Sequence, residues 1–179
     1  MTSSRASDRV LANRDRILEI WPRVDDAAER VGMDHPALLA RAARVAVSAG
    51  HQSRGVRLAL DALSELDPAD VETRLPILLD LFDYAWEAAD LPTAERAVLE
   101  AMAMVDGDRS PRSAQALAAE ALLRWHQGHY SKARESAMHA IEIARERVAR
   151  RELARALNVL GQIYTHLGET NNAQVVLAE

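Results

Sequence analysis

Two histidines, His126 and His129, flank a glycine near the middle of the chain. Paired imidazoles can begin a zinc site, but a structural zinc ion needs four ligands, and no third ligand stands at a motif spacing. The alternative is that both are solvated residues of a turn at Gly128. The other histidines are scattered, and none accompanies a serine and an aspartate in a catalytic arrangement. We therefore predict no metal site and no histidine-based catalysis.

Charged residues offer a second candidate chemistry. Arginines that lie this close together in the sequence can bind phosphate or an acidic partner. The alternative, favoured by the interleaved Glu146 and Glu152, is that the group is solvated charge at a helix junction. The group consists of Arg145, Arg147, Arg150, Arg151 and Arg155. Adjacent carboxylates at Asp25 and Asp26 point in different directions on a helix and form no catalytic pair. Glycine-rich phosphate loops are absent from the sequence. The sequence predicts a non-enzyme without a cofactor.

Composition favours a helical protein. The sequence has 179 residues, with 49% hydrophobic but only 4% aromatic residues and a net charge of -5. Alanine and leucine dominate, which favours tightly packed helices. Cysteine is absent, a composition typical of a reducing compartment, and no apolar run is long enough to span a membrane. We predict a cytoplasmic location, no membrane association and, from the negative charge, no direct binding of nucleic acid by this segment.

An internal repeat organises the sequence. Turn residues recur at Gly50, Ala89, Gly128 and Gly168, a spacing of about 39 to 40 residues that falls in the range of solenoid repeats. Five residues after each turn stands a small residue. These are Gly55, Ala94, Ala133 and Ala173. Small residues at a fixed offset allow antiparallel helices to approach closely, so each repeat is predicted to be a helical hairpin.

The last two repeats resemble the tetratricopeptide repeat. The residues of the last repeat that match that family's consensus are Leu157, Leu160, Gly161, Tyr164, Gly168 and Ala173. The preceding repeat matches at Gly128, Tyr130, Ala133 and Ala140. This resemblance extends over residues 36–179 and implies an all-α fold, a right-handed superhelix of antiparallel helix pairs. The longer period is similar to that of the helical sensor arrays of actinobacterial LuxR-type ATP-dependent transcriptional regulators.

The chain is predicted to contain two parts. Residues 1–33 form an N-terminal tail and a capping helical element, or alternatively a linker helix, and residues 34–179 form about four helix pairs. Because proline is costly inside a helix, Pro76 predicts that the third helix of the array starts near Thr73 or Leu75. A further turn is placed near 147–150. Because the last helix is still apolar at Val175 and Val176, the last pair is expected to be truncated or to form a homodimer contact.

The first helices of the pairs predict a binding surface. In tetratricopeptide arrays these helices line the concave groove, and the resemblance carries that position to a set of mostly polar and aromatic residues. The set is Arg44, Asp83, Trp86, Glu87, Trp125, His126, Arg155, Asn158 and Gln162. Tryptophan among polar neighbours is a frequent anchor for a peptide or ligand. The alternative is that Trp86 and Trp125 only pack at the ends of their helices.

These expectations lead to one preferred function and one alternative. The preferred function is a non-catalytic module that binds a protein, a peptide or a small-molecule effector in the groove. It would be the sensor or interaction region of a bacterial signalling or transcriptional regulator. The alternative is a self-associating scaffold or adaptor that uses Val175 and Val176 to form a homodimer.

Overall fold

The computed structural model describes residues 34–178, and every regular element in that range is an α-helix. The helices are α1 (His35–Ser48), α2 (Gln52–Glu65), α3 (Val71–Glu87), α4 (Leu91–Met104), α5 (Pro111–His126), α6 (Tyr130–Glu146), α7 (Arg150–His166) and α8 (Thr170–Leu177). They form four consecutive antiparallel pairs, which confirms the predicted fold class. The predicted capping element at residues 1–33 lies outside the described residues and stays a prediction.

Short polar side chains and prolines fix where several helices begin. The Asp34 carboxylate accepts a hydrogen bond from the Ala37 backbone N–H at 3.0 Å, and the Ser110 hydroxyl accepts one from Ser113 at 3.2 Å. Proline occupies the first turn of α1, α4 and α5. Its missing N–H costs nothing there, because the first backbone N–H groups of a helix have no partner within the helix.

The predicted turns lie where the repeat pattern placed them. Gly50, Ala89, Gly128 and Gly168 all adopt the left-handed conformation, with φ between 57° and 83°. Glycine enters this region without steric cost, whereas alanine does not. The turn predicted near 147–150 is also confirmed, since Val148 has φ 54° between α6 and α7. The repeat therefore uses the same backbone turn even where it lacks glycine.

Val148 is a strained position that glycine should relieve. It is 75% exposed, so its side chain contributes little packing, whereas a β-branched residue in the left-handed region costs about 1–2 kcal/mol. We expect Val148→Gly to raise the free energy of unfolding by about 1 kcal/mol after the entropy of glycine is counted. Urea denaturation followed by circular dichroism measures this. The control Val45→Gly, at an exposed site inside α1, should instead lose roughly 0.5 kcal/mol. Equal losses from both changes would contradict the interpretation.

The start of α3 differs from the prediction. The helix begins at Val71 and contains Pro76 in its interior, so the start near Thr73 or Leu75 is wrong. Asp70 explains the earlier start, because its carboxylate accepts a hydrogen bond from the Thr73 N–H at 3.1 Å. Pro76 cannot donate to the Glu72 carbonyl, and that oxygen instead accepts from Arg112 Nη1 at 3.5 Å. A side chain of the neighbouring repeat thus replaces the backbone donor that the proline lacks.

The helices lie in two layers. Each first helix contacts the next one along the array, α1 with α3, α3 with α5 and α5 with α7. Successive second helices within the described part make no such contact. In a curved array the layer with the closer neighbours is the inner one, so the first helices form the concave face. This arrangement places the predicted binding residues on the inner layer.

The core divides into two clusters of buried side chains. The first contains residues of α1 to α4 and the second contains residues of α6 and α7. Helix α5 contributes to both, with Ala116 and Ala119 in the first cluster and Ala114 and Ala118 in the second. A helix that is apolar on nearly all sides is buried on all sides. The two halves of the array therefore meet along α5.

Small residues allow the close helix contacts that the pattern predicted. Ala62, Ala101 and Ala140, at one offset in three repeats, are each fully buried. A Cβ atom added at Gly161 would lie 2.7 Å from Leu177 Cδ2, so the glycine lets α8 approach α7, as expected.

Among the described helices, none is both long and apolar enough to cross a membrane.

Candidate functional site

Aromatic and imidazole rings line the carboxyl-terminal ends of the first helices. The Trp86 ring on α3 stacks on Phe82, with ring centroids 5.8 Å apart and an interplanar angle of 25°. Its other neighbour is His126 on α5, at 5.4 Å and 80°. Aromatic rings prefer such edge-to-face contacts because the edge of one meets the electron-rich face of the other. Trp86 and His126, two residues of the predicted groove set, therefore lie in contact.

The same contact recurs one repeat later. Trp125 on α5 meets His166 on α7 at 6.0 Å and 90°. His166 Nε2 also lies 2.8 Å from the Tyr130 hydroxyl, within hydrogen-bond distance. Trp86 and Trp125 thus each contact a histidine of the following repeat. We call Trp86, His126, Trp125 and His166 the ring ledge.

Both tryptophans take part in core packing, which is one of the two roles that the sequence left open, and keep part of their surface accessible. They are half-buried, with Trp86 packed against the first core cluster and Trp125 against the second. The Trp125 Nε1 atom is buried and has no hydrogen-bond partner. His126 and His166, which complete the ledge, are exposed. The ledge therefore has a packed inner side and an accessible outer side.

An ion pair joins two first helices that are not neighbours. Arg155 on α7 donates from Nη1 to Asp83 Oδ2 on α3 at 2.7 Å, and its Nη2 pairs with the other carboxylate oxygen. The side chains are 27% and 29% exposed. Two parallel N–H···O bonds between guanidinium and carboxylate are directional and stronger than single contacts. This pair lies on the inner layer and reaches across α5.

The sequence analysis did not single out Asp80 and Tyr84, which lie beside that pair. Asp80 pairs with Arg44 at 3.5 Å, although Arg44 is 65% exposed. Burial raises the pKa of Asp80, Arg44 opposes that rise, and the charge of Asp83 adds to it. Tyr84 is 7% exposed, and its buried hydroxyl lies close to the Asp80 carboxylate. The available signal was an aspartate inside an apolar helix, three residues before another aspartate.

The raised pKa of Asp80 predicts a pH dependence. A carboxyl group whose folded pKa exceeds its unfolded pKa favours folding below the unfolded pKa, about 3.9, and this contribution is lost as the pH rises through the folded pKa. Asp80→Asn should therefore stabilise the protein at pH 7, by less than about 1 kcal/mol because the carboxylate is partly exposed. Urea midpoints between about pH 4 and pH 7 measure it, and the gain should grow with pH. A gain in stability that does not change with pH would contradict the raised pKa of Asp80. The control is Asp61→Asn, at an exposed position of α2.

Other predicted residues are not members of the ring ledge. Glu87 and Gln162 are exposed, and Asn158 lines a small cleft between α7 and α8. Val175 is 72% exposed, whereas Val176 is half-buried and lines a cleft with Leu157, Leu160 and Tyr164. The structure therefore brings together two pairs of the predicted set, Asp83 with Arg155 and Trp86 with His126.

The metal and phosphate alternatives gain no geometric support. Among the described residues, no three histidine or carboxylate side chains are placed to hold a metal ion. The arginine group is divided between two surfaces, because Arg155 faces Asp83 while Arg147 donates from Nε to the Arg109 backbone carbonyl. Arg109 in turn binds Glu142 and Glu146. These contacts belong to helix junctions and not to one anion site.

Comparison with known proteins gives the family of the last two repeats. Residues 114–147 and 154–179 match the model of the tetratricopeptide repeat. No curated protein sequence matches the chain significantly. The matched segments cover α5 with α6 and then α7 with α8. The sequence resemblance was strongest in the same two repeats.

Solved structures extend the likeness to the whole array. BtubC from P. vanneervenii has a TM-score of 0.70 at 16% identity over 96% of this chain and 74% of its own. Nearly identical TPR-like repeats from Podospora anserina give 0.65 at 16%, with coverages of 97% and 89%. A STAND signal-transduction ATPase with a tetratricopeptide repeat sensor, from Pyrococcus horikoshii, gives 0.64 at 20%, over 99% of this chain and 28% of its own. At these identities the likeness concerns the fold. Two repeats of the chain, residues 114–147 and 154–179, therefore match the tetratricopeptide family in sequence, and the array as a whole shares the fold of tetratricopeptide-like repeat proteins.

Proposed function

We propose that this chain is a non-catalytic binding module whose concave face holds a protein or peptide partner, or a small-molecule effector. The observation that carries the proposal is the ring ledge, which repeats in consecutive helix pairs with one side packed and the other exposed. Half-buried aromatic side chains are typical anchors, because they offer a large apolar area at low cost in conformational entropy. Exposed Glu87 and Gln162 lie on the same inner helices and supply polar contacts.

The finer proposal is a role as the sensor or interaction region of a bacterial signalling or transcriptional regulator. Its support is the sequence resemblance together with the fold of the STAND ATPase, in which a region of this architecture accompanies an ATPase. In such a protein the array would report a binding event to another domain by favouring one of two conformations. That mechanism requires the ligand to bind the two conformations with different affinity.

Charge changes on exposed groove residues test the proposal without disturbing the core. The tagged chain is used to isolate partners from its own cells, and the recovered protein is then titrated against purified variants. Glu87→Arg with Gln162→Glu should weaken binding at least on the order of tenfold, which corresponds to about 1.4 kcal/mol. The matched control is Arg57→Glu with Ser64→Arg on the second-helix layer, where both positions are exposed. Loss of binding in the control but not in the groove variant would refute the concave face as the binding site.

Self-association is a second candidate, favoured by the surface around α8. A cleft of about 990 Å³ separates α6 from α8, whereas the grooves between earlier second helices measure about 270 Å³ and about 310 Å³. Val175 and Leu177 are 72% and 58% exposed beside it. A second copy would cover these apolar side chains through a two-fold contact.

Light scattering across concentrations tests this candidate. Val175→Glu is the appropriate variant, since Val176 packs against the second core cluster and its replacement would also unfold the last pair. A dimer of the wild type that becomes a monomer in Val175→Glu supports the candidate. A wild-type monomer at every concentration would contradict it.

A further inference from the structure

The ion pair between Asp83 and Arg155 spans the boundary between the two halves of the core. Asp83 belongs to α3, whose buried side chains lie in the first cluster, and Arg155 belongs to α7, whose buried side chains lie in the second. The two helices make no close backbone contact, because α5 lies between them. The pair is therefore a direct link between the two inner-layer helices on either side of α5.

The packing of α5 makes this boundary a natural hinge. Its buried contacts come mostly from alanine, Ala116 and Ala119 toward one cluster and Ala114, Ala118 and Ala121 toward the other, with one leucine on each side, Leu123 and Leu117. Small flat surfaces slide and rotate at lower cost than interlocked large side chains do, and packed elements move by such shear. A rotation of one half against the other would change the separation of α3 and α7, which the pair fixes.

Partial shielding gives the pair enough strength for this role. Both side chains are more than two-thirds covered, and the contact is bidentate. Surface ion pairs contribute little because water and salt screen them, whereas bidentate pairs of good geometry are the exception. The pair also joins residues 72 positions apart in the sequence, so it restrains the shape of the array and not only a local turn.

We propose that Asp83 and Arg155 form a clasp that holds the two halves of the array closed across α5 and so sets the curvature of the concave face. This inference rests on the proposed function, because the curvature of the array affects binding only if the ligand binds to the concave face. A bound group carrying a carboxylate or a guanidinium would compete for one member of the clasp. Binding would then shift the array toward the open form.

Distance measurements between two spin labels test the clasp directly. The chain has no cysteine, so Val45→Cys on α1 and Gln174→Cys on α8 introduce labels at two exposed sites on opposite ends of the array. Pulsed electron resonance on the full chain then gives the distribution of distances. In Asp83→Asn and in Arg155→Gln we expect the mean to shift by about 2 Å or more, with a broader distribution.

Two further variants make the result specific. The exchanged pair Asp83→Arg with Arg155→Asp should restore the wild-type distribution. Arg150→Gln, which removes an exposed arginine at the start of α7, should leave it unchanged. Raising the salt concentration to about 1 M, where the screening length is about 3 Å, should move the wild type toward the single variants. Identical distributions in the wild type and both single variants would overturn the clasp, and would leave the binding proposal standing because no ligand is involved.

Discussion

Replacing Phe82 with alanine is expected to lower the free energy of unfolding by about 3–5 kcal/mol. Phe82 is fully buried in the first core cluster. Its ring also supports Trp86 through the stacked contact at 5.8 Å, so the substitution removes buried apolar area and leaves a cavity beneath the ring ledge. The equivalent positions of the other repeats are small, Ala43, Ala121 and Gly161. In the second repeat the Phe82 ring therefore fills space that, in the other repeats, is closed by a closer approach of the helix backbones.

Urea denaturation monitored by circular dichroism measures this loss, with tryptophan fluorescence as a second probe of the ledge. Leu99→Ala is the matched control, because Leu99 is 54% exposed and surface truncations usually change stability by less than about 0.5 kcal/mol. A loss at Phe82 no larger than that of the control would show that the second repeat closes around the cavity. That result would contradict the packing described for α3.

Replacing Arg74 with methionine is expected to cost about 2–4 kcal/mol. Arg74 is 8% exposed, and its Nη1 donates to the Leu63 carbonyl at 2.9 Å and the Leu66 carbonyl at 3.3 Å. These oxygens lie at the end of α2, where carbonyls lack partners within the helix. Nη2 pairs with Glu100 on α4, so one side chain joins three helices. Methionine fills similar volume but leaves the Leu66 carbonyl without this donor and the Leu63 carbonyl with only the Leu66 N–H, at 3.4 Å.

The same denaturation experiment tests Arg74, with two variants for comparison. Arg74→Lys keeps the charge but loses the forked geometry, so we expect a loss between those of the wild type and Arg74→Met. Arg57→Met, on the exposed face of α2, should be nearly neutral. Equal stability of Arg74→Met and the wild type would mean that water satisfies the α2 carbonyls, and the capping role would be rejected.

The local structure of the array was predictable because local chemistry determines it. Glycines that favour a left-handed turn recur in three repeats, and helix formers fill the intervals, so the helix bounds follow within a residue or two. Pro76 shows where that logic fails. The rule against internal proline holds for an isolated helix, whereas here a cap at Asp70 and a donor from the next repeat, Arg112, keep the helix continuous.

The contacts of the site were less predictable because they join distant repeats. The repeat pattern placed Asp83 and Arg155 on the inner layer, but nothing in their spacing shows that a guanidinium reaches across α5. Burial of Asp80 likewise depends on how closely α1 and α3 pack. The ring ledge was predictable in part. Its tryptophans and His126 were singled out by type and position, whereas the contact of each of these tryptophans with a histidine of the next repeat follows only from the stacking of successive repeats.

Hydrogen exchange of the chain with and without its isolated partner tests the central claim most directly, because it locates the binding surface without any substitution. If the partner binds the concave face, exchange should be slower in the carboxyl-terminal halves of α3, α5 and α7, around Trp86, Trp125 and His166. The exposed second helices α2 and α4 should be unaffected. Protection confined to the second helices or to α8, with none at the ring ledge, would contradict a concave binding face.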